Sequence, residues 1–171
     1  MTKETFVKKF LIFMLMISML CLVCGCKDTT DTTTEESKQT EATNSKLDSV
    51  INALLQLNPQ PLPGDSGGDW VIFGLARWGG EGPENWFEGY YEEIENYVKE
   101  CDGVLHNKKY TEYSRTILAL TAMGKDPSNV AGYNLLEPLA DFEQTVFQGI
   151  NGPAYALLAL DSGKYEIPAN K

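Results

Sequence analysis

From residue 46 onward, apolar positions recur three and four residues apart in almost every segment, the spacing of helices. Leu47, Val50, Ile51, Leu54, Leu55 and Leu57 predict a short amphipathic helix over 46–57, ended by the proline-rich run Asn58 to Gly64. The next helix, Asp69 to Trp78, is apolar nearly all round through Val71, Ile72, Phe73, Leu75 and Ala76. Asp69 is placed to cap it and Gly79-Gly80 to stop it. Pro83 opens a third helix over 84–101, as proline commonly does in a first turn. This one carries a single stripe, Trp86, Tyr90, Ile94, Tyr97 and Cys101, widened by Phe87, Tyr91 and Val98. Glu88, Glu92, Glu95 and Glu100 lie off the stripe, and Asp102-Gly103 ends the helix. The alternation repeats: an apolar helix over 110–123 stopped by Gly124, a mixed segment with an outer helix near 134–143, and an apolar helix over 152–162 stopped by Gly163. No strand pattern competes with these.

A helix that is apolar on all sides has to be covered on most of them, and striped helices do the covering. The pattern therefore predicts an all-α fold of helix pairs in two concentric layers. The inner helices are 69–78, 110–123 and 152–162, and the outer ones 84–101 and 134–143. Their glycine stops at 79, 124 and 163 fall at spacings of 45 and 39 residues, a weak internal repeat.

The N-terminus has a different pattern. Lys3, Lys8 and Lys9 precede the apolar run Phe10 to Val23, and small Gly25 follows, the layout of a secretory signal peptide over 1–25. Val23-Cys24-Gly25-Cys26 resembles the lipobox of bacterial lipoproteins. The resemblance implies cleavage before Cys26 and a thioether-linked diacylglycerol on it. Two acyl chains, at about 0.8 kcal/mol per buried methylene, suffice for stable anchoring. The expectation is a lipoprotein at the extracytoplasmic face of the cell membrane. Lys27 to Ser45 holds seven threonines among 19 residues and no aromatic residue, a composition that predicts a disordered spacer. The folded domain is then 46–171.

Composition narrows the chemistry. The net charge is −10; removal of 1–25, with Lys3, Lys8, Lys9 and Glu4, takes it to −12. Such a surface argues against nucleic acid, which is bound through Lys and Arg clusters. After processing, Cys101 is the one cysteine besides Cys26, so no disulfide forms within the chain. Cys101 reads as a packed helix residue before it reads as a reactive or zinc-binding thiol, and His106 as a solvated loop residue. Trp70, Trp78 and Trp86 could stack on a sugar or another planar ligand, but aromatics at helical spacing are more often core. Glu92-Glu93 reads as a solvated helix face rather than a catalytic pair. No catalytic residue, metal site or cofactor is assigned.

The unit formed by an outer helix, an Asp-Gly turn and an inner helix ending in glycine resembles the α/α toroid of terpenoid cyclases and protein prenyltransferase β-subunits, also used by cobalamin carriers of the transcobalamin type. The stretches KECDGVLHNKKYTEYSRTILALTAMGKDP and LLEPLADFEQTVFQGINGPAYALLALDSGKYEIP are similar to prenyltransferase/squalene-oxidase-type repeats of Gram-positive surface proteins. The resemblance covers roughly 65–168. It implies a partial toroid and a cavity mouth at the N-terminal ends of the inner helices, where free N–H groups and positive dipole ends gather. The ligand-binding candidates carried over are Asp69, Trp70, Tyr113, Ser114, Arg115, Asn151 and Tyr155. Arg115 leads them, with an ion pair to Glu112 or another carboxylate as the alternative. The departures are in the chemistry: Lys99 and Glu100 precede Asp102-Gly103 where the cyclases carry Gln and Trp, no Asp-x-Asp-Asp motif occurs, and Cys101 and His106 have no second cluster. The expected function is thus a non-catalytic binding domain for a small molecule, glycan or protein. A cyclase- or transferase-type enzyme and a cobalamin-type binder are the alternatives. An incomplete arc leaves its last inner helix uncovered, so exposed side chains are expected among Tyr155, Leu157, Leu158 and Leu160, and self-association with them.

Overall fold

The computed structural model describes residues 32–80 and 82–166, with side chains from 43 onward except Ser66. The described residues are all-α: six α-helices and two 3-10 turns, with no strand and one isolated bridge, Val130 to Tyr133. The signal peptide, Cys26 and the linker up to Asp31 lie outside the described residues. No helix among the described residues is long and apolar enough to cross a membrane. The chain divides into two units, Met1–Asp48 and Ser49–Lys171.

Helix α1, Thr32–Leu57, begins well inside the segment whose composition reads as disordered. Residues 32–45 are helical, a correction to that expectation. Glu35, Glu36, Lys38, Gln39, Glu41 and Ala42 are strong helix formers, so local propensity favours helix where no core is available. From Thr43 to Asp48 every residue is exposed, as the polar composition requires. In the second unit α1 touches the core through Ile51, with Leu55 partly buried beside it, whereas Val50 and Leu57 remain exposed.

Helix α2, Ser66–Trp78, starts three residues earlier than the pattern suggested. Its cap is Asp65, whose carboxylate accepts the Gly67 N–H at 3.3 Å, and not Asp69, which sits inside the helix. Gly67-Gly68 reads as a breaker in sequence but serves close packing here. A Cβ on Gly68 would collide with the Leu62 carbonyl oxygen, so the Pro59–Gly64 loop crosses the first turn only over glycine. Helix α3, Trp86–Glu100, starts after Pro83 rather than with it: the chain makes a turn at Pro83, with Asn85 left-handed at φ 61°. Its buried stripe is Trp86, Tyr90, Ile94 and Val98 at strict four-residue spacing, and Tyr97 and Cys101 lie at its half-buried edge.

Helix α4, Thr111–Ala122, is the centre of the domain: every residue from Tyr113 to Leu120 is buried. Helices α2 and α6 (Asn151–Gly163) pack on it from two sides. Their first turns meet at one end through Asp69 and Arg115 and through Trp70 and Tyr155. Arg77, Thr121, Ala122, Asp161 and Ser162 share the other end. The three therefore run parallel. The outer helix expected near 134–143 does not form. In its place stand a 3-10 turn, Glu137–Ala140, a one-turn helix α5, Phe142–Thr145, and a second 3-10 turn, Val146–Gln148. Pro138 lacks a donor, Asn134 turns its side chain onto the Leu136 N–H, and Asp141 caps a new start by accepting from Gln144 N–H. Val130, Leu135, Leu136 and Leu139 still bury themselves against the core, so an irregular segment does part of an outer helix's covering. Helix α6 runs through Gly163, and the left-handed residue that ends it is Lys164 at φ 55°. Gly152 is required where α6 begins, because a Cβ there would meet the Thr145 carbonyl oxygen.

Candidate functional site

The candidate residues separate into a buried polar cluster and an open groove. Asp69 sits in the first turns of α2 with no exposed surface (0%). The Tyr90 hydroxyl donates to Asp69 Oδ1, and the Arg115 Nε–H donates to Oδ2 at 2.6 Å. Arg115 is 8% exposed; its Nη2 donates to the Gly64 carbonyl at 3.1 Å and to Glu112 Oε2. Three helices and the proline loop are thus tied at one point.

Burial raises the Asp69 carboxyl above its ordinary value, against the hydrogen bonds from Tyr90 and Arg115 and the charge of Arg115, which pull it down. Burial and the facing Asp69 carboxylate push the Tyr90 hydroxyl far up, so it stays protonated and remains a donor. Desolvation alone would lower Arg115; the hydrogen bond and charge of Asp69, with Glu112, outweigh it and the guanidinium rises. An arrangement with every donor and acceptor matched holds helices together. No buried side-chain polar atom among the described residues lacks a partner.

Tyr113 and Ser114 belong to the same interior. The Tyr113 hydroxyl accepts the Leu105 N–H at 3.1 Å, and Ser114 Oγ donates to the Tyr110 carbonyl at 3.2 Å, so both fasten the loop before α4. Asn151 lies exposed at the start of α6. Of the seven candidates Trp70 lines an opening, and half-buried Tyr155 packs against Trp70 with ring centroids 5.9 Å apart.

That opening is a groove of about 320 Å³ between α2 and α6, floored by α4. Trp70, Phe73, Leu118, Ala122 and Leu158 give it apolar walls, and Thr121, Ser162, Arg77 and Asp161 supply its polar groups. Trp70 meets Phe73 edge to face at 5.8 Å. Arg77 and Asp161 form no ion pair with any described residue. Sequence reasoning did not single out Phe73, Arg77, Leu118 or Asp161. They lie toward the C-terminal halves of the inner helices, while the resemblance directed attention to the N-terminal ends. Alternation of Trp70, Phe73 and Arg77 along one face of α2 was the available signal.

The other tryptophans divide. Trp86 is core and donates its indole N–H to the Asn58 carbonyl at 3.2 Å, while Trp78 is exposed past the groove. Cys101 is half-buried, burial pushes its thiol up, and its Sγ points at the Val98 carbonyl at 3.6 Å. His106 is half-buried rather than fully solvated: its Nδ1 accepts the N–H groups of Lys108 and Lys109, both at 3.0 Å, and so shapes the loop. No group of three or more His, Cys, Asp or Glu among the described residues is placed to hold a metal ion. Glu92 and Glu93 are exposed on α3. Comparison of the chain with protein-family models, curated proteins and solved structures finds no match.

Proposed function

We propose that this chain is a lipid-anchored surface protein whose helical domain binds an apolar small molecule without converting it. In this reading the signal over 1–25 is removed, Cys26 carries the diacylglycerol, and the polar segment after it sets the domain at a distance from the extracytoplasmic membrane face. The parallel trio α2, α4 and α6, with α3 packed outside, supports kinship with an arc of an α/α toroid. The observation that carries the binding reading is the groove: about 320 Å³, aromatic on one wall, aliphatic on floor and far wall, and open to solvent. Ligand sites are commonly of this size and character, apolar with a few polar groups for orientation.

The experiment is a thermal-shift titration of the full chain in detergent with naphthalene, indole and octanoate. A compound that binds only the folded state raises the transition with concentration, by about 2.7 kcal/mol of stability at a hundredfold excess over its Kd. A transition indifferent to all three removes the groove as a binding site. The alternatives implied by the family resemblance have their own readouts: turnover of an isoprenoid diphosphate or polyprene for an enzyme, and a corrinoid absorbance change on titration for a cobalamin binder.

A further inference from the structure

Helix α6 has two open flanks. The outer one carries exposed Ile150 and Leu157. The other, with Leu158, Asp161 and Ser162, is a wall of the groove. The groove is graded along its length. Trp70, Phe73 and Arg77 follow one another along α2, and the seven-residue rise from Trp70 to Arg77 spans about 10 Å. Aromatic and aliphatic groups line the groove toward the first turns of the helices, and polar groups line it toward the last turns.

Opposite charges stand on opposite walls at the polar end: Arg77 in the last turn of α2 and Asp161 in the last turn of α6. They pair neither with each other nor with any other described residue. Arg77 suits its place, because a cation is favoured at the carboxyl end of a helix. Asp161 does not, since it adds its charge to the negative ends of three parallel helices. The two hydroxyls of this end add acceptors rather than donors. Ser162 Oγ donates to the Ala159 carbonyl and Thr121 Oγ1 to the Ile117 carbonyl, both at 2.7 Å. Each proton is committed within its own helix, so the groove is left with lone pairs; the Tyr165 hydroxyl, at 2.9 Å, takes one of those on Thr121. The neighbouring cations do not answer Asp161. Lys164, which ends α6, is exposed, lies outside the groove and forms no ion pair with it, and Lys125 is held by Glu88 at 2.9 Å.

A molecule that satisfies this end carries an ammonium and a carboxylate close together, with an apolar body directed toward Trp70. Resting on the reading of the groove as a binding site, we infer that its ligand is a free aromatic α-amino acid. The ligand ring lies against Trp70 and Phe73, which meet edge to face at 5.8 Å; Trp70 is 36% exposed and keeps ring surface for a third aromatic group. The ammonium meets the Asp161 carboxylate and the Ser162 oxygen, and the carboxylate meets the Arg77 guanidinium, whose fork matches it. A fatty acid would bring only negative charge to the end where Asp161 and three helix carboxyl ends already stand. An aromatic amine would leave Arg77 without a partner. A residue inside a peptide carries neither charge.

The test is isothermal titration calorimetry of the full chain in matched detergent buffer, with four compounds that share one ring: indole, tryptamine, 3-indolepropionate and L-tryptophan. Tryptophan should bind tightest, by about tenfold or more over either singly charged compound. Asp161→Asn and Arg77→Gln are both at exposed positions. Asp161→Asn should weaken tryptophan and tryptamine by about tenfold and spare 3-indolepropionate; Arg77→Gln should weaken tryptophan and 3-indolepropionate and spare tryptamine. Indole that binds as tightly as tryptophan overturns the amino-acid ligand and leaves the groove a site for apolar molecules. Tryptamine or 3-indolepropionate as tight as tryptophan overturns it as well, as does either variant that weakens all four compounds alike. Failure of all four to bind removes the groove as a site and the amino-acid ligand with it.

Discussion

Helices α4 and α6 carry nearly the same pattern: SRTILALTA in one and PAYALLALD in the other, each with Leu-Ala-Leu or Leu-Leu-Ala-Leu at its centre. Their surroundings differ completely. In α4 every residue from Tyr113 to Leu120 is buried, while α6 buries only Gly152, Ala156, Ala159 and Leu160 and leaves Leu158 58% exposed. The difference comes from the neighbours. Helix α4 has α2 on one side, α6 on the other, and the irregular 125–141 segment against it; α6 has α4 and the short elements before it. Apolar character along a helix states how much cover is wanted, and tertiary position states how much is supplied. The shortfall on α6 is where binding surface appears.

The comparison is sharpest at the charged point of α4. Asp69→Ala takes the Nε partner from Arg115, which keeps Glu112, and the acceptor from the buried Tyr90 hydroxyl, and loss of one partner from a buried ion pair costs about 3–5 kcal/mol. Urea unfolding of the full chain should record that loss. Replacement of both charges and of the Tyr90 hydroxyl, as in Asp69→Leu with Arg115→Met and Tyr90→Phe, should recover most of it, because no buried donor is then left unmatched. A triple variant as unstable as the single would show that the cluster does more than satisfy itself. Next in size is Leu120→Ala on α4, a fully buried side chain whose truncation should cost about 2–5 kcal/mol. Comparable loss from Leu157→Ala on α6 would erase the distinction between the two helices; about 0.5 kcal/mol or less is expected there, because the side chain is already in water.

Between these effects lies a pH dependence. Burial holds the Asp69 carboxyl above its ordinary value of 3.8. From that value up to the native one, folded chains keep a proton that unfolded chains have released. Ionisation of Asp69 therefore subtracts stability as pH rises through this window and changes nothing further above it. Asp69→Asn has no such decline, so the stability gap between wild type and variant should narrow as pH rises through the window. Urea midpoints across the acid range test this, and a gap that widens with pH would contradict it. The smallest effect is at Asp126, where hydrogen bonds from the Ser128 side chain and N–H lower the carboxyl. Its contribution is present above the ordinary carboxyl range and fades as pH falls through the lowered value. Asp126→Ala should lose only that slight acid-side dependence.

The helices of the core were legible in sequence because apolar spacing reports burial directly. The positions of α2, α3, α4 and α6 follow from it to within a turn. What was not legible depended on side chains competing with the backbone. Asn134, Pro138 and Asp141 broke an expected outer helix into turns, and Asp65, four residues before the apolar pattern begins, took the capping role assigned to Asp69. Asp69 and Arg115 were both visible as charges in apolar helices; that they pair at 2.6 Å required knowing that α2 and α4 are parallel neighbours. The groove was the least legible part. Trp70 was identified on one wall, but the rest depends on which flank of α6 is left open among the described residues, and the pattern along α6 does not encode that.

The separation between the two open flanks of α6 rests on a direct measurement: the fluorescence of 1-anilinonaphthalene-8-sulfonate titrated onto the full chain in detergent and onto two variants. Leu158 lines the groove and Leu157, one residue away, faces outward. Wild type should give a saturable enhancement over the detergent background. Leu157→Lys should leave it within about twofold, and Leu158→Lys should abolish it, since a charge would then stand among the apolar groups that bind the probe. Equal loss in both variants, or an intact signal with lysine at 158, would contradict a binding groove between α2 and α6.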